Sequence, residues 1–204
     1  MANAILNENS SRTTENLPTI STVIPRIYVA CLASHNNGIL HGSWIDATQD
    51  VKSMEAEIQN MLSISPTAGA EEWEIRKHEN FYGIDFQKCF CHLPGPSWHE
   101  YDDLERVSKT ASILFEYGEL GAKVIEQYNF DLKWTWKRLE EEYLGCYDNL
   151  ADYARQHLDN LELEIPEYLM WYIDFEQWGR DLEMGGNIST LEIDHKTHVF
   201  LNLC

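Results

Sequence analysis

Four residues in the middle of the chain have side chains that could bind a metal ion. Cys89, Cys91 and His92 lie close together, and His99 follows a short distance further on. Thiolate and imidazole are the ligands that zinc prefers, so this group is a candidate metal site. Its Cys-x-Cys-His spacing differs from structural zinc patterns, and no second cysteine pair completes it. We therefore favour placement in a core or loop, and keep a metal hydrolase as an alternative.

Metal-dependent cleavage of phosphodiesters would require clustered carboxylates, usually with a lysine. Asp174 and Glu176 offer carboxylates, but no lysine follows them, and on a helix the two would face apart. His195 and His198 flank a predicted strand turn, where a surface position or hairpin packing is the favoured role. Cys146 is expected in a buried strand. We therefore predict no catalytic residue, no metal and no cofactor, and hence a protein that is not an enzyme.

No phosphate loop, zinc-protease helix or nucleophile elbow occurs in the sequence. The aromatic stretch at 134–136 is flanked by Lys133 and Lys137 and could stack nucleic-acid bases. The acidic residues that follow at 140–142 oppose nucleic acid, so helix packing is the preferred interpretation.

Net charge is the most unusual property of the composition. The 204 residues include 34 acids and 15 bases, for a formal charge of −19. Nucleic-acid binders need a basic surface, and anionic membranes repel acidic proteins, so neither is an expected partner. Seven Trp, ten Tyr and seven Phe indicate that the acidity lies on a folded protein. Five cysteines without a framework, no signal peptide and no membrane span indicate reduced thiols and a cytoplasmic location.

The negative charge is concentrated in the second half of the chain. Residues 140–183 contain 13 acids but only two bases, Arg155 and Arg180. A surface that is merely solvated mixes both signs, so this imbalance indicates a functional acidic surface. The carboxylates that we assign to it are Asp102, Asp103, Glu105, Glu140, Glu141, Glu142, Asp148, Asp152, Asp159, Glu162, Glu164, Glu167, Asp174, Glu176, Asp181 and Glu183.

Local patterns predict an α+β protein of three small units in an elongated array. A polar leader, residues 1–24, is expected to be a flexible tail. Residues 25–80 read as β-β-α-β: a hairpin, a helix over 50–63 capped by Asp46 or Thr48, and a strand over 71–79. Residues 81–139 are mainly helical and are interrupted by Gly-Glu-Leu-Gly at 118–121.

Residues 140–204 read as β-α-α-β-β. A strand over 140–147 precedes a helix that Asp148 can cap, and Gly185-Gly186 ends a second helix that begins at Pro166. Spacings of three and four predict an aromatic stripe on this second helix, with carboxylates opposite. The stripe contains Tyr168, Trp171, Tyr172, Phe175, Trp178 and Leu182, and the opposite face holds Glu167, Asp174 and Asp181.

Three stretches resemble the ArdA antirestriction proteins of mobile genetic elements. They are IYVACLASHNNGILHGSWIDA (27–47), LGCYDNLADYARQHLD (144–159) and above all IPEYLMWYIDFEQWGRDLEMGG (165–186). The resemblance covers about residues 25–80 and 143–200. The third stretch corresponds to the family's antirestriction motif. The residues of this sequence that match the family's motif are Pro166, Glu167, Tyr172, Asp174, Glu176, Arg180, Asp181 and Glu183.

The resemblance implies a DNA mimic that occupies the DNA groove of Type I restriction-modification enzymes, contacting their methyltransferase core. It also implies a homodimer with the C-terminal unit near the two-fold axis, where Pro166, Tyr172 and Arg180 support the motif or the dimer. A second hypothesis from the acidity alone is a general interaction module that sequesters another basic DNA-binding protein.

Overall fold

The computed structural model describes residues 23–85, 101–161 and 163–202, with the side chains of 101–103 excepted. The candidate zinc ligands, Glu162, most of the leader and the side chains of Asp102 and Asp103 therefore lie outside the described residues. Strands at both ends and helices in the middle confirm the α+β class. The described residues up to Trp136 form one compact unit, and those from Lys137 onward form another. The finer three-way division stays a prediction.

The first unit begins with a three-stranded antiparallel sheet of order β2-β1-β3. The elements are β1 (Arg26–Cys31), α1 (Leu32–Asn36), β2 (Gly42–Asp46), α2 (Val51–Ser63) and β3 (Trp73–Glu79). The predicted β-β-α-β order is confirmed. The connection between β1 and β2 contains the short helix α1 instead of a plain turn. Gly38, which follows this helix, has a φ of 75°, a backbone conformation that favours glycine.

Helix α2 covers one side of this sheet with the apolar face that its spacing predicted. Val51, Met54 and Ile58 are among its buried residues. The predicted cap was wrong: Asp50 caps the helix by accepting from the Ser53 backbone N–H at 3.2 Å. Asp46 instead accepts from the backbone N–H of Thr48, in a turn that precedes the helix.

Two helices complete the middle of the chain, α3 (Tyr101–Gln127) and α4 (Leu132–Glu141). Gly118 breaks the helical geometry of α3, with φ 55° and ψ −131°. Residues with a Cβ avoid this conformation, so the glycine permits the kink. The predicted interruption at 118–121 is confirmed at its first residue. The aromatic stretch at 134–136 lies in α4, where Trp136 packs edge-on against Tyr117 of α3 with ring centroids 6.2 Å apart, whereas Trp134 is 53% exposed.

The second unit contains another three-stranded antiparallel sheet, of order β4-β6-β5. Its elements are β4 (Tyr143–Tyr147), α5 (Leu150–Asn160), α6 (Glu167–Met170), α7 (Phe175–Met184), β5 (Ile188–Ile193) and β6 (Lys196–Leu201). Strand β4 begins later than predicted because α4 extends to Glu141. Asn149, not Asp148, caps α5 by accepting from the Asp152 N–H at 3.0 Å.

Two apolar clusters hold helices α5 and α7 in place. One joins Tyr153 of α5 to Ile188 and Val199 of the sheet. The other joins Ala154 and Leu158 of α5 to Phe175 at the start of α7. Among the described residues, no helix combines the length and apolar character that crossing a membrane would require.

Candidate functional site

The segment predicted to be one helix from Pro166 to Met184 is two helices separated by a turn. Helix α6 ends at Met170, and Asp174 adopts an extended backbone conformation before α7. The predicted aromatic stripe is therefore wrong. Trp171 is 86% exposed and Tyr172 84% exposed, whereas Phe175 is only 9% exposed. Neighbouring members of the supposed stripe therefore lie in opposite environments.

Three large aromatic side chains are exposed on α6 and in the turn after it. We call Tyr168, Trp171 and Tyr172 the exposed aromatic turn. Leu169 between them is also exposed. Large apolar side chains grouped on a surface commonly mark a site of protein interaction. The segment from Pro166 to Met184 thus offers aromatic rings to solvent as well as carboxylates.

Most of the predicted acidic residues in the second half are exposed. The exposed ones are Glu140, Glu141, Asp148, Asp159, Glu164, Glu167, Asp174, Glu176 and Asp181. Glu105, Asp152 and Glu183 are half-buried. Because these carboxylates carry like charges, they produce a negative potential over the described surface of this unit.

Several of these carboxylates also have partners within the protein. Lys196 forms an ion pair with Asp148, and Arg155 pairs with Asp152 at 3.1 Å. The Arg155 guanidinium also lies 4.8 Å from the centre of the Phe175 ring, a cation–π distance. Both bases of residues 140–183 are therefore engaged locally, since Arg180 pairs with Glu176 at 3.1 Å.

Glu142 was expected on the acidic surface, and that expectation is wrong. Its side chain is 11% exposed and forms an ion pair with Arg138, whose side chain is 8% exposed. Arg138 also donates to the Leu201 carbonyl at 2.7 Å, to the Ser189 hydroxyl and to Asn202 Oδ1 at 3.2 Å. Its guanidinium lies over the Phe200 ring at 4.7 Å. This network attaches the end of α4 to the C-terminal sheet.

The Arg138 network was not predicted from the sequence, although one feature of the sequence indicated an ion pair. Arg138 and Glu142 are four residues apart, the spacing at which a helix brings opposite charges together. Nothing local shows that the pair becomes buried, because Ser189, Phe200 and Leu201 arrive from strands far along the chain.

The three residues predicted to support the motif or the dimer occupy distinct places. Pro166 is the residue before α6, with φ −57° and ψ 134°, and so precedes the first turn instead of lying in it. Arg180 is exposed on α7. Tyr172, the third predicted support, lies in the exposed aromatic turn and not in a core.

One histidine of the last hairpin is packed and the other lies at the surface, and both positions agree with the expectation. His198 is buried, and its Nδ1 lies 2.9 Å from the Tyr143 hydroxyl in a hydrogen bond. Burial lowers the pKa of His198 below its usual value. His195 lies in the turn between β5 and β6, with a φ of 61°. Within the described ranges, no group of three His, Cys, Asp or Glu residues is placed to hold a metal ion.

These features define a small acidic α+β protein whose most distinctive surface combines carboxylates with exposed aromatic rings. A family model described as antirestriction protein (ArdA) matches residues 27–197. The chain therefore belongs to the ArdA family of antirestriction proteins, and the resemblance in the sequence is confirmed. A search of curated proteins found no match. Family membership supports an antirestriction function, carried out by an inhibitor and not by a catalyst.

Proposed function

We propose that this protein is an acidic DNA mimic that occupies the DNA-binding groove of Type I restriction-modification enzymes. The observation that supports the proposal most directly is a set of eight exposed carboxylates in the second half, none of which caps a helix: Glu140, Glu141, Asp148, Asp159, Glu164, Glu167, Glu176 and Asp181. They lie in a stretch, residues 140–183, that has 13 acids and two bases. An inhibitor that binds through such a surface needs no catalytic group.

The physical basis of the mimicry is charge density. Duplex DNA carries about one charge per 1.7 Å of its axis, and proteins that neutralise phosphates release counterions. At a charge of −19 per chain, two chains carry the charge of about 65 Å of duplex. An enzyme groove lined with basic residues can exchange phosphates for carboxylates. Inhibition should then be largely independent of the enzyme's target sequence, because phosphate contacts carry affinity and base contacts carry specificity.

The proposal includes a homodimer formed through the second unit. The exposed aromatic turn supports this step, since Trp171 and Tyr172 leave most of their surface in water in the single chain. Burying such rings against a second copy would be favourable. The target enzyme acts inside the cell, so a cytoplasmic location follows from the proposal.

The test is displacement of labelled duplex from a Type I methyltransferase core. Purified protein is titrated into the enzyme–duplex complex at low and at moderate salt. We expect release of the duplex at about one dimer per DNA site, and weaker release at higher salt because counterions compete. Absence of displacement at both salts would contradict the proposal for that enzyme. A pull-down would then test for another basic DNA-binding protein as the partner.

Charge reversal identifies which carboxylates matter. Glu140→Lys with Glu141→Lys reverses two exposed charges at the end of α4, where cations suit the helix dipole. The double variant should stay folded and displace duplex at least tenfold less well. The matched control is Glu71→Lys with Glu72→Lys, which reverses two exposed charges in the first unit. An equal loss in the control would show that total charge matters more than the acidic surface.

A further inference from the structure

The apolar spacing does not explain why α6 ends at Met170. No glycine or proline lies between Glu167 and Trp178, and the apolar spacing is compatible with one continuous helix. The chain nevertheless leaves helical geometry and begins a new helix at Phe175. Some interaction in the folded unit must favour the break.

The break changes which side chains face the core. Ile173 and Phe175 both pack in the cluster that contains Ala154 and Leu158. Residues two apart face opposite sides of a helix, so a continuous helix could not place both there. It would instead place Trp171 beside Phe175, since residues four apart share a face. In the structure one of these rings is exposed and the other is buried.

Asp174 supplies the interaction that begins the new helix. Its backbone is extended, with φ −83° and ψ 90°, and its Oδ1 accepts from the Gln177 backbone N–H at 2.9 Å. Its carbonyl accepts the first helical bond, from Trp178 N–H at 3.0 Å. This is the geometry of an N-cap, where a short acidic side chain also interacts favourably with the helix dipole.

The carboxylates that follow on α7 also have partners within the unit. Gln177 Nε2 donates to Asp181 at 2.8 Å, and Arg180 pairs with Glu176 at 3.1 Å. Glu183 accepts from the Thr190 hydroxyl and so connects α7 to β5. The acids of residues 174–183 therefore stabilise the helix on which they lie.

We propose that Asp174 is a positioning residue: its carboxylate begins α7 and thereby holds Trp171 and Tyr172 in the exposed aromatic turn. Its negative charge is not required for contact with the enzyme. The effect of Asp174 on inhibition rests on the proposed function, whereas its effect on the fold is independent of that function. The acids and the aromatic rings of the motif thus have different roles.

Four substitutions separate capping from charge. Asp174→Asn and Asp174→Ser remove the charge but retain a good N-cap. Asp174→Glu retains the charge, but the added methylene moves the carboxylate away from the Gln177 N–H. Asp174→Ala removes both. Glu192→Gln is the matched control, since it removes one exposed charge from the same unit outside the acidic surface and outside any cap.

The measurements are the urea unfolding of the full chain and the displacement of duplex from the methyltransferase core. Asp174→Ala and Asp174→Glu should lower the folded-to-unfolded ratio about fivefold. They should also displace duplex several-fold less well. Asp174→Asn, Asp174→Ser and the control should stay within about twofold of the wild type in both measurements.

Two results would overturn the proposal. One is a reversed order, in which Asp174→Glu resembles the wild type while Asp174→Asn and Asp174→Ser are as impaired as Asp174→Ala. The other is four variants that all resemble the wild type. If the wild type itself fails to displace duplex, the proposed function is lost, and the order of the urea midpoints alone then decides whether Asp174 acts as a cap.

Discussion

The two sheets of this protein share a plan and differ in what surrounds them. Each has three antiparallel strands, in the orders β2-β1-β3 and β4-β6-β5, with helices in every connection except the β5–β6 turn. The first unit, residues 19–136, contains 17 acids and nine bases, whereas the 68 residues of 137–204 contain 15 acids and five bases. One small architecture can therefore carry a moderately acidic surface or a strongly acidic one, so function resides in the surface and not in the fold.

The units also differ in how they use ion pairs. In the first, Arg26 and Glu79 pair at 3.5 Å, with their side chains 44% and 42% exposed. In the second, Arg138 and Glu142 pair in the interior. An exposed pair adds little stability, but removal of one partner from a buried pair leaves an uncompensated charge.

The largest predicted effect follows from that difference. Arg138→Ala should lower the free energy of unfolding by about 3 kcal/mol or more, because Glu142 then remains buried with only Lys137, 3.8 Å away. Arg26→Ala is the control and should cost less than about 1 kcal/mol. Urea unfolding measures both. Similar losses in the two variants would contradict the distinction between a buried and an exposed pair.

A smaller effect is expected at the kink of α3. Gly118→Ala should cost about 1–3 kcal/mol, because alanine is strained at φ 55° and ψ −131°. Gly83→Asn provides the control, since Gly83 has a φ of 73° that asparagine tolerates and no atom lies within 4 Å of the added Cβ. Thermal unfolding should separate the two variants. A stable Gly118→Ala protein would show that the kink can be straightened without loss.

Acid should weaken the second unit through the half-buried His157 and the buried His198. Burial lowers the pKa of His157 and of His198, so the folded state favours their neutral forms. The unfolded chain takes up protons from about pH 6.5 downward, so stability should fall below that pH until the folded-state pKa values are reached. Urea midpoints between pH 5 and 8 measure the decline.

The variant His198→Gln isolates one contribution to this pH dependence. Glutamine can still bond the Tyr143 hydroxyl but does not titrate, so the decline below pH 6.5 should become shallower. In the first unit, burial also lowers the pKa of His78. The slope of stability against pH in His78→Gln is therefore compared with the slope in His198→Gln. An unchanged slope in His198→Gln would exclude His198 as a source of the acid sensitivity.

The smallest effect on stability is expected at the exposed aromatic turn. Trp171→Ser with Tyr172→Ser should change the free energy of unfolding of the single chain by less than about 0.5 kcal/mol. It should nevertheless shift the protein from dimer to monomer in sedimentation experiments. Leu40→Ser, at a residue 92% exposed in the first unit, should alter neither property. A dimer that persists in the double variant would place the self-contact elsewhere.

Much of the fold could be predicted because local patterns were consistent with the tertiary structure. The apolar spacing of α2, the alternation in β1 and the glycines after α7 all mark elements that the structure contains. The caps were less predictable, since several polar residues precede each helix and the final geometry selects one. Asp50 and Asn149 were selected in preference to Asp46 and Asp148.

The candidate site was predictable in charge but not in shape. Composition and order along the chain determined the acidity of residues 140–183, the α+β class and the family resemblance. Tertiary structure alone decided that Glu142 is buried with Arg138, because that depends on strands from the end of the chain. It also decided that the helix breaks before Asp174. Helical periodicity describes one element at a time. The core around Ala154 and Leu158 contains both Ile173 and Phe175, which would face opposite sides of a continuous helix. The extended backbone of Asp174 between them allows both side chains to enter that core.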